Sequence, residues 1–191
     1  MPNWCYNNVT LTHDEPAMID RAISGFQNDT LANEFVPLPE SEKDNWYDWC
    51  ISNWGTKWEA SIIDWERTGE KEIYVSFDSA WSPPVTLYEF MLEQGYNVEA
   101  MYWESGMAFC GRFADGYDDF LVTDTYATEE FYGTVYLIPG PVNGTQVLTD
   151  LAIRKIEGIE AYGYFGAQIT NLDDYNQDFI EDWAFMSRCD N

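Results

Sequence analysis

The chain has 191 residues, 46% of them hydrophobic and 17% aromatic, and carries 34 acidic against nine basic residues. A disordered acidic tail is excluded, because such segments are poor in aromatic residues. The net charge of −25 disfavours direct binding to nucleic acid, which needs a basic surface, and binding to an anionic membrane. The length predicts one domain, or one domain with a sizeable elaboration.

The cysteine and histidine content gives no sign of a metal or a cofactor. Cys5, Cys50, Cys110 and Cys189 lie far apart, without a CxxC pair, and His13 is the single histidine. A leader and an apolar run near 18 residues are both missing from the sequence. We therefore expect reduced thiols in a cytoplasm, no metal, no cofactor and no membrane association.

The first elements read as a strand, a helix and a second strand. Trp4–Thr12 alternates and is rich in strand formers. Pro16 stands where a helix often begins, and Gly25 marks its end. Residues 46–54 are either irregular or a short helix. The alternation across Lys57–Arg67 then predicts the second strand.

The next elements are a hairpin, a helix and two strands. The turn at 68–71 leads into a strand at Glu72–Ser79, and Pro83-Pro84 opens a second helix. Asn97–Ser105 and Ala108–Phe113 are the following strands. The order β-α-β-β-α-β, with one further strand, is that of the ferredoxin-like plan, an antiparallel sheet with two helices on one face. The expected class is α+β, with residues 1–124 as the core domain.

Residues 125–191 are expected to be a mixed or helical elaboration packed on that core. Before it, Tyr117–Tyr126 could extend the sheet. One apolar stripe has helical spacing and consists of Leu148, Leu151, Ala152, Ile156 and Ile159. A last helix, capped by Asp173, is predicted from Tyr175, Phe179, Trp183 and Met186.

Four short motifs stand out in the N-terminal part. They are Met1-Pro2-Asn3-Trp4-Cys5-Tyr6-Asn7, Asn53-Trp54-Gly55-Thr56-Lys57-Trp58, Trp81-Ser82-Pro83-Pro84, and the turn from Glu104-Ser105-Gly106 to Cys110-Gly111. In this order and spacing they resemble the YubB-type proteins of phages and conjugative plasmids, over about residues 1–113. The resemblance implies an origin in a mobile element and a ferredoxin-like domain. It brings no established activity, although proteins of such elements often act against host defences.

The tryptophan-rich loops allow two interpretations. As a ligand loop, Trp54, Lys57, Trp58 and Trp81 would stack a base or clamp a ligand, with Lys57 holding an anion. As structural residues, the tryptophans cap the sheet and Gly55 permits a tight entry into the second strand. The structural interpretation is favoured, because a base-binding platform would sit in a repulsive field. An enzyme or a small-ligand-binding protein of ferredoxin-like build remains the main alternative function.

The acidic surface is the preferred functional feature. Nine cations can pair with only about a quarter of the carboxylates, and the remaining repulsion costs stability. On a helix, carboxylates at i and i+4 stand about 6 Å apart, close to the spacing of phosphates along a nucleic-acid strand. The residues expected to present this phosphate-like field are Asp115, Asp118, Asp119, Asp124, Glu129, Glu130, Asp173, Asp174, Asp178, Glu181 and Asp182.

The expected function is therefore non-enzymatic. The protein would bind a basic, nucleic-acid-handling host protein and inhibit host defence by imitating nucleic acid. Work in high salt, binding of divalent cations and simple solubility are competing reasons for the charge. A structural or assembly role in a virion is a further alternative, and the oligomeric state is left open.

Overall fold

The helices and strands start close to the signals that predict them. This computed structural model describes residues 3–126, 132–140, 150, 152–158, 166–171 and 183–186. The helices along these residues are α1 (Pro16–Gln27), α2 (Leu31–Phe35), a 3₁₀ helix (Glu40–Asn45), α3 (Trp46–Trp54) and α4 (Val85–Glu93). The strands are β1 (Trp4–Thr12), β2 (Ser61–Gly69), β3 (Glu72–Ala80), β4 (Asn97–Glu104), β5 (Phe109–Ala114), β6 (Tyr117–Asp124), β7 (Thr134–Ile138), β8 (Arg154–Glu157), β9 (Gln168–Asn171) and β10 (Trp183–Met186).

Eight strands form one sheet, in the order β2-β3-β1-β4-β5-β6-β7-β8. β9 and β10 pair antiparallel in a second, two-stranded sheet. Pairing is also antiparallel between β1 and β3, β2 and β3, β6 and β7, and β7 and β8. The α+β class is thus confirmed, but the main sheet is larger than predicted.

The chain divides into two compact units. The first contains Met1–Tyr102 and Arg112–Gly116, and the second contains Trp103–Gly111 and Tyr117–Asn191. In the first unit the two faces of the sheet differ. Val9 lies opposite Val75 and Leu11 opposite Ile73, and all four are at most 2% exposed. They belong to one apolar core together with residues of α1 and α4, so the alternation read from β1 does mark its buried face.

Proline and glycine set the bounds of the helices in the first unit. Pro16 occupies the first turn of α1, where its missing N–H leaves no hydrogen bond unmade. Ile19, Ala22 and Phe26 follow at helical spacing and are buried. Beyond α4, Gly95 has φ +90°, a conformation that favours glycine, and there the chain turns into β4.

In this unit one open alternative is decided, and the start of one strand differs from prediction. Residues 46–54 form a regular helix, α3. β2 begins at Ser61, four residues later than the alternation at Lys57 indicates. The segment before Ser61 does not pair with β3, because contacts with other parts of the chain, described below, hold it in place.

The helical predictions for the C-terminal elaboration are wrong at two described stretches, although Asp150 within the first predicted stripe is helical. Arg154–Glu157 is strand β8, with Arg154 opposite Leu137 of β7. Trp183–Met186 is strand β10, paired with β9. Strand pairing along these stretches overrides the local spacing of apolar residues. The predicted cap at Asp173 and the stripe residues Leu148, Leu151 and Ile159 lie outside the described residues.

Candidate functional site

Three of the four sequence motifs meet at one end of β1 and β3. The Trp81 N–H donates to the Asn3 carbonyl at 3.0 Å, which continues the pairing of the two strands. The Thr56 hydroxyl donates to the Ala80 carbonyl and accepts from the Ala80 N–H, both at 3.1 Å. The Ser82 hydroxyl donates to the Gly55 carbonyl at 2.8 Å. In this way the Thr56 and Ser82 hydroxyls supply hydrogen-bond partners for backbone groups that sheet pairing leaves without one.

Gly55 is required at this junction. It ends α3 in the left-handed region, with φ +78°, and its N–H donates to the Ile51 carbonyl. A Cβ atom there would lie 3.2 Å from the Val85 nitrogen and 3.1 Å from the Thr86 nitrogen. Glycine therefore allows both the turn and the close approach of α4.

Asn7, from the N-terminal motif, sits at the centre of a buried polar network. Its Nδ2 donates to the Cys5 carbonyl and to the Ser79 hydroxyl, each at 2.9 Å. Its Oδ1 accepts from the Tyr88 hydroxyl of α4 at 3.1 Å. Asn7 is 1% exposed, so these partners are needed to offset the cost of burying the amide. The motif thus locks β1, β3 and α4 together.

Lys57, which follows Thr56 in the chain, lies among aromatic side chains. The Lys57 ammonium lies 4.4 Å from the centre of the Trp58 ring and 5.6 Å from that of Tyr47. The Trp58 ring in turn lies 6.4 Å from the ring of Trp4. These are distances at which a cation is attracted to ring faces and aromatic rings pack together.

α3 continues the aromatic area. Trp46 and Tyr47 are in edge-on contact, with ring centres 5.9 Å apart. Their exposed fractions are 40% and 48%, and Ile51, one turn after Tyr47, is 41% exposed. We call Trp4, Trp46, Tyr47, Ile51, Lys57 and Trp58 the aromatic surface. Its large apolar side chains on α3 remain open to solvent, whereas Cys50 and Trp54 of the same helix are buried.

Carboxylates border the aromatic surface. Asp44, on the 3₁₀ helix, and Asp48, in the first turn of α3, are both exposed and lie four residues apart in the chain. Glu40 and Glu42 precede them on the 3₁₀ helix, where Glu40 pairs with Lys43 at 2.6 Å. The border of the aromatic surface is therefore strongly acidic, in keeping with the net charge of −25 of the chain.

Two of the predicted ligand-loop residues have different surroundings. Trp54 is 3% exposed, and its indole N–H donates to the Val36 carbonyl at 2.8 Å. It belongs to the core and faces no cleft. Trp81 is 42% exposed and has φ +74°, which is a strained backbone for a bulky residue. Of the loop, Lys57 and Trp58 are the residues that the structure brings into direct contact.

The predicted acidic residues fall into three groups. Asp115 belongs to the first unit and lies in the β5–β6 turn, with φ +53°. Asp118, Asp119 and Asp124 lie on β6 in the second unit. Asp119 accepts the Gly140 N–H at 2.8 Å and Asp124 accepts the Tyr126 N–H at 2.9 Å, so both also serve local structure. The others lie outside the described residues: Glu129, Glu130, Asp173, Asp174, Asp178, Glu181 and Asp182.

Two further carboxylates are structural: Glu104, which begins the fourth motif, and Glu59, which no sequence pattern indicates. Glu104 is 2% exposed and accepts the N–H groups of Gly106 and Met107, at 2.7 and 2.6 Å, which fixes the β4–β5 turn. Glu59 accepts the N–H groups of Ala32 and Asn33 and so caps α2 from a distant part of the chain. Burial raises the pKa of Glu59, and these hydrogen bonds oppose the shift.

His13 has both ring nitrogens engaged and serves the fold. Its Nδ1 accepts the Glu15 N–H at 2.9 Å, at the entry to α1. Its Nε2 lies 3.1 Å from the Gln94 carbonyl, which assigns the proton to Nε2. An open cavity of about 220 Å³ adjoins it, lined by Thr12, His13, Asp14, Lys71, Gly95 and Asn97. A general base needs a free nitrogen facing such a cavity, and this ring offers none.

Comparison with known proteins assigns neither a family nor a function to this chain. No family model, curated protein or solved structure matches this chain. Within the described part of the chain, no three or more His, Cys, Asp and Glu side chains are grouped to hold a metal ion. No helix among those residues is both long enough and apolar enough to cross a membrane.

Proposed function

We propose that this is a non-enzymatic, acidic accessory protein of a phage or plasmid that binds a basic, nucleic-acid-handling host protein. Its mechanism is imitation of nucleic acid, and its outcome is inhibition of host defence. The observation that carries the proposal is the uncompensated charge: if each of the nine cations neutralised one carboxylate, 25 would remain. Self-repulsion of this size costs stability and calls for a functional reason.

The described ion pairs support this view of the surface. Arg21, Lys43, Arg67, Lys71, Arg112 and Lys155 each pair with a carboxylate. In the part of the chain that the structure describes, these pairs therefore use most of the positive charge without creating a basic patch. A surface of this kind attracts a basic groove and repels nucleic acid itself.

The fold supports a second part of the proposal. The order β2-β3-β1-β4 of the first four strands, with α1 before β2 and α4 after β3, agrees with the order expected for a ferredoxin-like domain. We include in the proposal that residues 1–113 are a ferredoxin-like domain of the YubB type. The meeting of three of the motifs at one junction supports it, because it gives their residues a common structural role.

The alternative was an enzyme or small-ligand-binding protein that uses the tryptophan-rich loops. A cleft lined by Trp54, Trp58, Trp81 and two converging carboxylates would favour it. Trp54 is 3% exposed and bonded to Val36, so it offers no wall to a ligand. The burial of Trp54 therefore favours the proposed protein-binding function over an enzyme or small-ligand-binding function.

A pull-down from a bacterial host lysate tests the proposal. Tagged protein is incubated with nuclease-treated lysate at low and at high salt, and bound proteins are identified by mass spectrometry. We expect basic nucleic-acid-binding proteins at low salt, their release at high salt, and their displacement by added duplex DNA. Retention of no such protein at low salt would refute the proposal, and so would retention that DNA leaves unchanged.

A further inference from the structure

α3 exposes more apolar surface than its fold requires. Its buried residues, Cys50 and Trp54, already anchor it to the core. Trp46, Tyr47 and Ile51 are nevertheless 40–48% exposed on one short helix. Clustered exposed aromatic residues mark interaction sites more often than scattered ones do.

Lys57 holds part of this surface in place. Its ammonium group contacts the rings of Tyr47 and Trp58. Among the described residues Lys57 forms no ion pair, although carboxylates are abundant in this chain. A lysine placed on two rings restricts their rotation, so the surface is organised before a partner arrives.

The charges around the surface identify the occupant. Asp44 and Asp48 are exposed beside Tyr47, and Glu42 lies on the preceding turn. A second copy of the chain would bring another −25 and be repelled. A cationic segment would be attracted. Of the two cations, arginine fits better, because its planar group stacks on aromatic rings and forms paired bonds with carboxylates.

We propose that the aromatic surface and its acidic border receive arginine side chains of a basic partner protein. This inference rests on the proposed function. It places the contact with the basic partner on α3, which carries none of the acidic residues predicted from the sequence. Arginine groups stack on Trp46 and Tyr47, while Asp44 and Asp48 hold their charge. Ile51 covers the apolar stem of the same side chains.

The test uses two labelled peptides, nona-arginine and nona-lysine, and measures their binding by fluorescence anisotropy at low and at moderate salt. Three changes are compared in the full chain: Tyr47→Ala, Trp46→Ala and, as the matched control, Tyr117→Ala on β6, which is 58% exposed. We expect the intact protein to prefer nona-arginine. Each of the first two variants should weaken nona-arginine binding by about fivefold and reduce that preference. Tyr117→Ala should leave both affinities unchanged.

A pair of charge-matched variants separates local contact from the overall field. Asp44→Asn with Asp48→Asn, and Asp115→Asn with Asp119→Asn, remove the same two charges. We expect a larger loss of nona-arginine binding from the first pair. Equal binding of the two peptides, or equal effects of the two pairs, refutes the inference and leaves the proposed function standing. Failure of both peptides to bind at low salt refutes both.

Discussion

Lys57 and Trp58 form a direct cation–ring contact, with the ammonium 4.4 Å from the ring centre. The same ammonium lies near Tyr47 of α3, so one lysine joins the segment before β2 to a helix. The contact explains why β2 starts late: residues 57 and 58 are committed to α3 and to Trp4 of β1.

Replacing Lys57 by glutamine should therefore reduce stability. Loss of the contact with two rings is expected to lower the free energy of unfolding by about 1 kcal/mol, measured by urea titration. The near-ultraviolet circular dichroism should change as well, because the Trp58 ring loses its fixed environment. Lys43→Gln is the control, since it removes the same charge from an exposed pair with Glu40. Equal effects of the two changes would show that the ring contact contributes nothing.

The fold was predictable where one local signal decides the structure. The alternation of residues correctly predicts β1 and β3. Proline correctly predicts the start of two helices, with Pro16 as the first residue of α1 and Pro83-Pro84 directly before α4. The signals failed where pairing between distant segments decides. Residues 154–157 are all exposed on β8, so no buried face imposes a pattern on them. The apolar spacing around Ile156 indicates a helix, and that helix does not form.

The candidate site was predictable only in part. Lys57 and Trp58 were recognised because two tryptophans around a lysine are unusual. The sequence does not single out Trp46, Tyr47 and Ile51, because the pattern of residues 46–54 is compatible with both irregular structure and a short helix. Trp54 and Trp58 look equivalent in sequence, yet one is buried and the other contacts Lys57. Only the position of Gly55, which ends α3, separates their environments.

Thr56 should be important for the junction of the motifs. Thr56→Val removes the hydroxyl that satisfies both the N–H and the carbonyl of Ala80. Since Thr56 is 2% exposed, water cannot replace it, and we expect a loss of about 3 kcal/mol in the free energy of unfolding. Thr68→Val on the exposed end of β2 is the matched control, with an expected change within about 0.5 kcal/mol. Similar losses for the two variants would contradict this role.

Trp81 should show the cost of its backbone conformation. A left-handed conformation costs an L-residue about 1–2 kcal/mol, and glycine avoids that cost. Trp81→Gly and Trp81→Ala lose the same indole ring, but alanine keeps the strain at φ +74°. We expect the glycine variant to unfold with a free energy about 1 kcal/mol higher than the alanine variant, in a urea titration. If alanine is the more stable of the two, the strain is absent.

Asp78 should make stability depend on pH. Burial raises the pKa of its carboxyl above the ordinary value of 3.8, and its Oδ1 is buried without a hydrogen-bond partner. The folded state therefore holds the proton more tightly than the unfolded state. This contribution to stability is fully present below pH 3.8 and is lost as the pH rises through the raised pKa. At neutral pH the carboxylate is buried at a cost, which Asp78→Asn removes.

We therefore expect Asp78→Asn to raise the free energy of unfolding at pH 7 and to lose this advantage on acidification. The comparison uses Asp64→Asn, which removes one charge from an exposed position on neighbouring β2. Any relief of the general repulsion is then common to both variants. Urea titrations at several pH values would measure the difference between them. A difference that stays constant with pH, or grows as the pH falls, would mean that Asp78 keeps its ordinary pKa in the folded protein.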